Sequence, residues 1–386
     1  MSRMQQPDNT RVCRALAAML CLLPSIVPAA TNVYVDIAAP GPTHDGTSWA
    51  TAYTNIQTAV QDINFANSPG NTVLVAGGTY AETITLSAAH SGAAGNPNRV
   101  AAKPGDRPVV DGGGIRDYGL VADGASCLSF EGLTVFACTN SGIRLTNAMA
   151  CAITNCTVTS NALDGIYLVA SSNNTIMDSE CAGNGADGVH FHFAGSNTVL
   201  RSRIHHNTAT GIRGGTGTSG RSDNCTVREC WIYRNGNTGY LNGGDGNQVR
   251  GGIFLDGDSS CANWLVVNCT VYRNFGDGIN SYHRCTMTVR NSIVAFNLAR
   301  GLERGNTGAS LVPVNNDVFG NGHGNYWNGV TPDAGSISAP PSFVDAAHGD
   351  FRLYADSACL DKGSDGRDMG AHPDAAPVSI GSPKTY

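Results

Sequence analysis

A glycine followed by an aliphatic residue recurs from residue 142, at Gly142-Ile143, Gly165-Ile166, Gly188-Val189, Gly211-Ile212, Gly252-Ile253, Gly278-Ile279 and Gly301-Leu302. Successive glycines are 23, 23, 23, 41, 26 and 23 residues apart. Between them, apolar and polar residues alternate in short stretches such as Gly165-Ile-Tyr-Leu-Val169 and Thr175-Ile-Met-Asp178, separated by Asn, Gly and Ser. Alternation of period two marks a strand with one buried face, and the polar punctuation marks turns. A fixed period of roughly 20 to 50 residues is the mark of a solenoid, whose units bury their apolar faces only against each other. The leucine and asparagine consensus of leucine-rich repeats is absent. The pattern therefore predicts an all-β stack of coils, a parallel β-helix.

Polar positions repeat as well. Asn161, Asn184, Asn207, Asn274 and Asn297 each stand four residues before a repeat glycine, and Asn235 and Asn321 occupy related turns. Equivalent side chains on stacked strands lie about 4.8 Å apart, so these amides are expected to form a hydrogen-bonded ladder. Cys156, Ser179, Ser202, Cys230, Cys269 and Ser292 fall in a second column, read as small core residues, with a Cys230–Cys269 bridge left open. Open solenoid ends expose strand edges, so both ends should be covered. Ile56, Ala59, Val60 and Ile63 form one apolar helical face after Thr54 and predict an N-terminal capping helix, with Thr72-Val-Leu-Val-Ala76 as the first strand. Phe343 and Asp350-Phe-Arg-Leu353 predict a closing strand.

Composition narrows the class. Of 386 residues, 14% are charged and 7% aromatic, with 48 glycines, as expected for many short strands joined by tight turns. Arg3, Arg11 and Arg14, then an apolar run from Ala15 to Val27 and small residues at Pro28 to Ala30, predict a secretory signal peptide and hence a secreted protein. That run is too short to span a membrane. Without residues 1–30, the charge changes from 24 minus 30 to 21 minus 29, a net of −8. No basic patch exists to neutralise phosphates, so nucleic acid is not an expected partner. The predicted organisation is a signal peptide over 1–30, a single β-helix domain over 31–372 and a tail over 373–386. Within the domain, the cap and first coils take 31–115, regular coils 116–328 and a closing segment 329–372. A monomer is expected.

The segments Tyr34-Val-Asp36, Gly46-Thr-Ser-Trp49, Ile56-Gln57, Val73-Leu-Val-Ala-Gly-Gly-Thr-Tyr80 and Val109-Val-Asp-Gly112 resemble the start of bacterial extracellular parallel β-helix proteins. This group includes polysaccharide lyases related to pectate lyase. The closing Phe343-Val-Asp345, Gly349-Asp-Phe-Arg-Leu353 and Asp368-Met-Gly-Ala371 are similar to the terminal segment of the same broad group. What the resemblance implies is a right-handed, pectate-lyase-like solenoid that is secreted and acts on polysaccharide. In its lysine-dependent lyases, the base follows an Asn-Ala-Asp-Gly-like turn and clustered aspartates hold calcium. Here the turn is Gly185-Ala-Asp-Gly188, and His192 stands where that lysine is expected. Lys103, Lys362 and Lys384 all lie outside the central coils.

Strand alternation sends the second and fourth residues after each repeat glycine outward. The outward set includes Arg144, Tyr167, His190, His192, Arg213, Phe254, Asp256, Asn280, Tyr282 and Glu303, with His283 beside it. This is far richer in chemistry than a bland Ser/Thr/Asn face. Asp164, Asp187 and Asp277 each precede a repeat glycine and Asp256 and Asp258 lie nearby, so Asp187, Asp256, Asp258 and Asp277 are candidate calcium ligands, with turn capping the plainer alternative. The excursion Gly236 to Arg250 could wall one side of the face.

β-Elimination from a uronic acid needs a cation on the carboxylate and a base at the C5 proton. Arg213, Arg144 or calcium fits the first role, His190 or His192 the second, and Tyr167 or Tyr282 protonation of the leaving oxygen. Phe254, Asn280, Tyr282, His283 and Glu303 join Arg144 as candidate substrate contacts. A lyase on an acidic polysaccharide is the favoured reading. A glycoside hydrolase using Asp256 with Glu303 or Asp187 stays open, as does a non-catalytic carbohydrate-binding module. Gly322-His-Gly324 matches one polygalacturonase tripeptide, but the accompanying paired aspartates are missing; the Asp-Pro-His pattern of polyuronate epimerases is absent too.

Overall fold

The computed structural model describes residues 31–62, 65, 69–217, 221–236, 250–257 and 261–371. The predicted signal peptide and tail, most of the 236–250 excursion, Ile63 and Asp258 lie outside these residues. Among the described residues, the strands form three parallel sheets of 11, 10 and 10 strands and one antiparallel pair. Each strand pairs with its counterpart one coil away, as Ile143–Thr146 does with Ile166–Val169, and that in turn with Val189–His192. The predicted β-helix is therefore observed. Its coil frame extends back past Gly142 to Leu120–Asp123 and Ile84–Ser87.

Strand alternation places Ile143, Leu145, Ile166, Leu168, Val189 and Phe191 inside, each 1% exposed or less. The Asn ladder runs unbroken through Asn161, Asn184, Asn207, Asn235, Asn274, Asn297 and Asn321. Each amide donates to the next Oδ1 at 2.9–3.0 Å. Asn235 closes the gap left by the 41-residue step, so that excursion interrupts the spacing but not the stack. Repeat glycines are dictated by this crowding: a Cβ on Gly165 would stand 2.7 Å from the Gly188 carbonyl and 2.8 Å from Asn184 Nδ2. The second column forms too, with Cys156 N donating to Ser179 Oγ and Ser179 N to Ser202 Oγ. Cys230 and Cys269 are unbridged thiols, each donating to backbone carbonyls. Corners between strands use left-handed residues such as Asn147, Asn155, Asp178 and Asn268, a conformation short polar side chains tolerate.

Three sequence expectations are corrected. The first strand is Asn32–Val35, paired with Thr72–Val75; it is too short to advertise itself, yet pairing buries Val33 and Val35. The helix Ile56–Val60 is capped by Asn55, whose Oδ1 accepts from Thr58 N at 2.7 Å, and not by Thr54. Glu82 accepts the helix's first amides, those of Ile56 and Gln57, at 2.8 Å each. The terminal segment does not add a strand to the solenoid. Phe343–Asp345 and Asp350–Leu353 form their own antiparallel pair. The pair docks on the outer face of one sheet, where Phe351 packs edge-on against Trp231, Tyr233 and Tyr272. Its aromatic residues join an apolar cluster there with Ile293, Ala295, Cys359 and Met369.

Candidate functional site

The outward residues of one sheet stand in register as predicted: Arg144, Tyr167, His190, Arg213, Phe254, Asn280 and Glu303 are successive partners. They do not form a uniformly wet face. His190, Phe254, Asn280 and Glu303 are buried, while Arg144, Tyr167, His192, Arg213 and Tyr282 keep partial exposure. The regular pleat breaks at Gly214, where the pairing with Ile253–Gly257 shifts register. Gly214 is on an inward position, and a Cβ there would lie 2.6 Å from the buried Trp264 ring. The indole fills the interior space that Leu145, Leu168 and Phe191 take in earlier coils, and its Nε1 donates to the Ser222 carbonyl.

Three groups of side chains result. At one end, Arg144 donates to Tyr118 Oη at 2.6 Å and to Thr146 Oγ1 at 3.1 Å. Its guanidinium lies 5.3 Å from the Tyr118 ring centre and 6.0 Å from that of Tyr167. Arg144 has no carboxylate partner among the described residues. One coil on, Tyr167 Oη and His192 Nδ1 are 2.9 Å apart. Burial, then His190 and Arg213, hold the His192 imidazole below its ordinary pKa, favouring the neutral ring. Burial first, then Asp164, raises the Tyr167 phenol, which stays protonated. Phe193 stacks on His192 at 4.7 Å.

The second group surrounds His190. Its Nδ1 is 3.3 Å from Asp164 Oδ2 and 3.7 Å from Asp187 Oδ2, and its Nε2 is 3.3 Å from the Gly215 carbonyl. Both ring nitrogens are thus committed to oxygens. Arg213 reaches Asp256 at 3.1 Å and Asp187 at 3.8 Å, and His283 lies 3.4 Å from Asp256. Burial, chiefly, pushes the Asp187 carboxyl upward. In the third group, Asn280 Nδ2 donates to both Asp277 Oδ2 and Glu303 Oε2 at 2.9 Å, and Arg300 bonds Glu303 at 2.7 Å. Burial and the Glu303 carboxyl raise Asp277 well above the carboxylate range.

Residues 37–331 match the family described as the Pel9A-like, right handed beta helix region. The chain belongs to that family. The solved structure of pectate lyase Pel9A is similar over 89% of this chain and 96% of its own, with a TM-score of 0.63 and 18% identity. An alginate lyase from Paenibacillus sp. str. FPU-7 is similar over 76% of this chain and 99% of its own, with a TM-score of 0.53 and 17% identity. No curated protein matches the sequence. The family assignment makes the β-helix right-handed. Among the described residues, no helix is long and apolar enough to cross a membrane.

Within this right-handed frame the predicted aspartates fall into two groups, with Arg213 bridging Asp187 and Asp256. Asp187 lies with Asp164 and His190, Asp256 between Arg213 and His283, and Asp277 with Asn280; Asp258 is outside the described residues. Asp164, Asp187 and His190 present one ligand atom each within 4.8 Å of one another. Calcium takes roughly six to eight oxygen ligands. This trio offers a nitrogen among its donors, and two of its carboxylate oxygens already accept the amides of Asp187 and Thr210. Arg213 adds positive charge at Asp187. Among the described residues, this trio by itself does not supply the oxygen shell that calcium takes. The turn aspartates instead cap one backbone amide with Oδ1 and turn Oδ2 to an outward side chain, as Asp277 also does with Arg300 N and Asn280 Nδ2.

Sequence reasoning missed Tyr118, Phe193, Arg300 and Trp327. Tyr118, Phe193 and Arg300 lie outside the two counted outward positions. Phe193 stands out only in the structure, as a 47% exposed large aromatic in the left-handed conformation, φ 53°, which is uncommon.

Proposed function

We propose that the chain binds an acidic polysaccharide along the outward column and cleaves it by β-elimination. The reading is carried by the Tyr167–His192 pair, half open to solvent beside a guanidinium with only neutral partners. Arg144 receives the uronate carboxylate, whose neutralisation acidifies the C5 proton. With Nδ1–H donating to Tyr167, Nε2 of His192 keeps the lone pair that takes that proton. The C5–H electrons form the C4=C5 double bond, the C4–O bond breaks, and Tyr167 gives its hydroxyl proton to the leaving oxygen. Nδ1–H then returns a proton to the phenolate, so the pair ends neutral. His190 and Arg213 act as positioning groups, since their nitrogens are held by Asp164, Asp187, Asp256 and Gly215. The similar folds of a pectate lyase and an alginate lyase support the choice of a lyase.

The hydrolase alternative is weakened because Asp256 is paired with Arg213 and Glu303 is fully buried. Incubation of the protein with a panel of polyuronates, with and without EDTA, tests the proposal through the ultraviolet absorbance of the unsaturated product. Rising absorbance, undiminished by EDTA, is expected. New reducing ends without absorbance would overturn elimination in favour of hydrolysis, and binding without either product would leave a carbohydrate-binding module.

A further inference from the structure

The outward column does not end at Glu303. Its next in-register partner is Trp327, on the two-residue strand Tyr326–Trp327. Tyr326 packs against the core, so alternation turns Trp327 onto the same outward face as Glu303. Unlike the buried residues before it, Trp327 is 44% exposed. The Arg300 guanidinium lies 4.7 Å from its ring centre and is itself anchored on Glu303 at 2.7 Å. This arrangement fixes the indole while leaving much of it open. Large exposed aromatics are uncommon among the described residues, and one held by a cation–π contact in line with a polar column points to a ligand.

We infer that Trp327 and Arg300 form a distal subsite that stacks a sugar ring of the same polysaccharide whose cleavage is assigned to His192. The inference rests on that reading for its ligand. Trp327 is five strands along the sheet from Val189–His192, which at the strand spacing is about 24 Å. One coil rises by close to the length of one extended pyranose unit, so a bound chain reaches Trp327 about five sugars from the reacting bond. The negative face of the indole attracts the polarised C–H groups of a pyranose, and Arg300 offers its remaining N–H groups to a carboxylate. The distal subsite thus selects long chains over short oligomers.

The test uses the full-length protein and size-graded uronic-acid oligosaccharides of the class found to be cleaved. For oligomers long enough to reach Trp327, Trp327→Ala is expected to raise KM about tenfold with kcat unchanged, while short oligomers are cleaved as by the wild type. Trp327→Phe should restore most of the loss. In His192→Ala, which blocks turnover, long oligomers should still quench tryptophan emission, and Trp327→Phe in that background should abolish the quenching. Equal binding and cleavage of every length by wild type and Trp327→Ala would overturn the subsite while the lyase reading stood. Cleavage without a double bond but with the same Trp327 length dependence would overturn the lyase reading and keep the subsite. Failure of every oligomer to bind would overturn both.

Discussion

Two polar stacks run through seven coils of this β-helix at the same spacing, one inside and one outside. The inner ladder repeats a single residue, and from Asn184 on each Nδ2 donates to an amide oxygen above and a carbonyl below, as Asn184 does to Asn207 Oδ1 and Val158 O. The outer column changes residue at every coil, from Arg144 through Tyr167, His190 and Arg213 to Glu303. Its groups are satisfied only in places, with Arg144 lacking a counter-charge. Repetition in a solenoid serves the stack, because every coil poses the same hydrogen-bonding problem. Departure from repetition serves something outside the stack.

That contrast breaks most sharply at His192. Substitution His192→Ala should lower elimination by about 10² to 10⁴-fold, the range for losing a general base, while the unfolding free energy from chemical denaturation stays within about 0.5 kcal/mol of wild type. An unchanged rate would remove the residue as base. Inside, Asn184→Ala should do the reverse. It strands the amide groups of Asn161 and the Val158 carbonyl in a dry interior, at a cost of about 2 to 4 kcal/mol. Activity per folded molecule should be retained at temperatures where the variant remains native. A variant as stable as wild type would show that the ladder is replaceable by packing.

The inner stack was legible in the sequence because it repeats: the Gly-aliphatic frame, the Asn column and the Cys/Ser column all follow from spacing alone. The outer register was legible for the same reason. What escaped was everything set by contacts across columns. Counting residues cannot reveal that Arg213 is consumed by Asp187 and Asp256, or that both nitrogens of His190 are occupied. Nor can it show that Tyr118 reaches Arg144 from the preceding coil, or that the terminal hairpin docks on a side of the solenoid. Trp327 was missed because its coil lacks the repeat glycine.

Asp317 lies under the docked terminal segment and belongs to neither stack, so it isolates the effect of burying a charge without a ladder. Burial raises its pKa from 3.8 to about 6, against the bonds it accepts from Ala339 N and Cys359 Sγ. Because the folded carboxyl holds its proton more tightly than the unfolded one, its contribution to stability is fully present below pH 3.8 and is lost as pH rises through about 6. Asp317→Asn should therefore gain on wild type across that window, by at most about 3 kcal/mol at neutral pH. Parallel stability curves for the two proteins between acid and neutral pH would refute this account.

The mildest test separates the two arginines of the outer column. Arg144 carries a charge that no described carboxylate neutralises, and Arg213 carries one already spent on Asp187 and Asp256. Only the first is poised for a uronate carboxylate. Arg144→Gln should raise KM by about tenfold, worth about 1.4 kcal/mol, with little change in stability, since its partners Tyr118 and Thr146 can turn to water. Because the lost attraction is between charges, the difference between Arg144→Gln and wild type should shrink as salt is added. Arg213→Gln should instead destabilise the fold, as it leaves buried carboxylates unpaired. If both substitutions changed KM alike and neither changed stability, the division between structural and ligand-facing charge within the column would fail, and with it the choice of Arg144 as the carboxylate's partner.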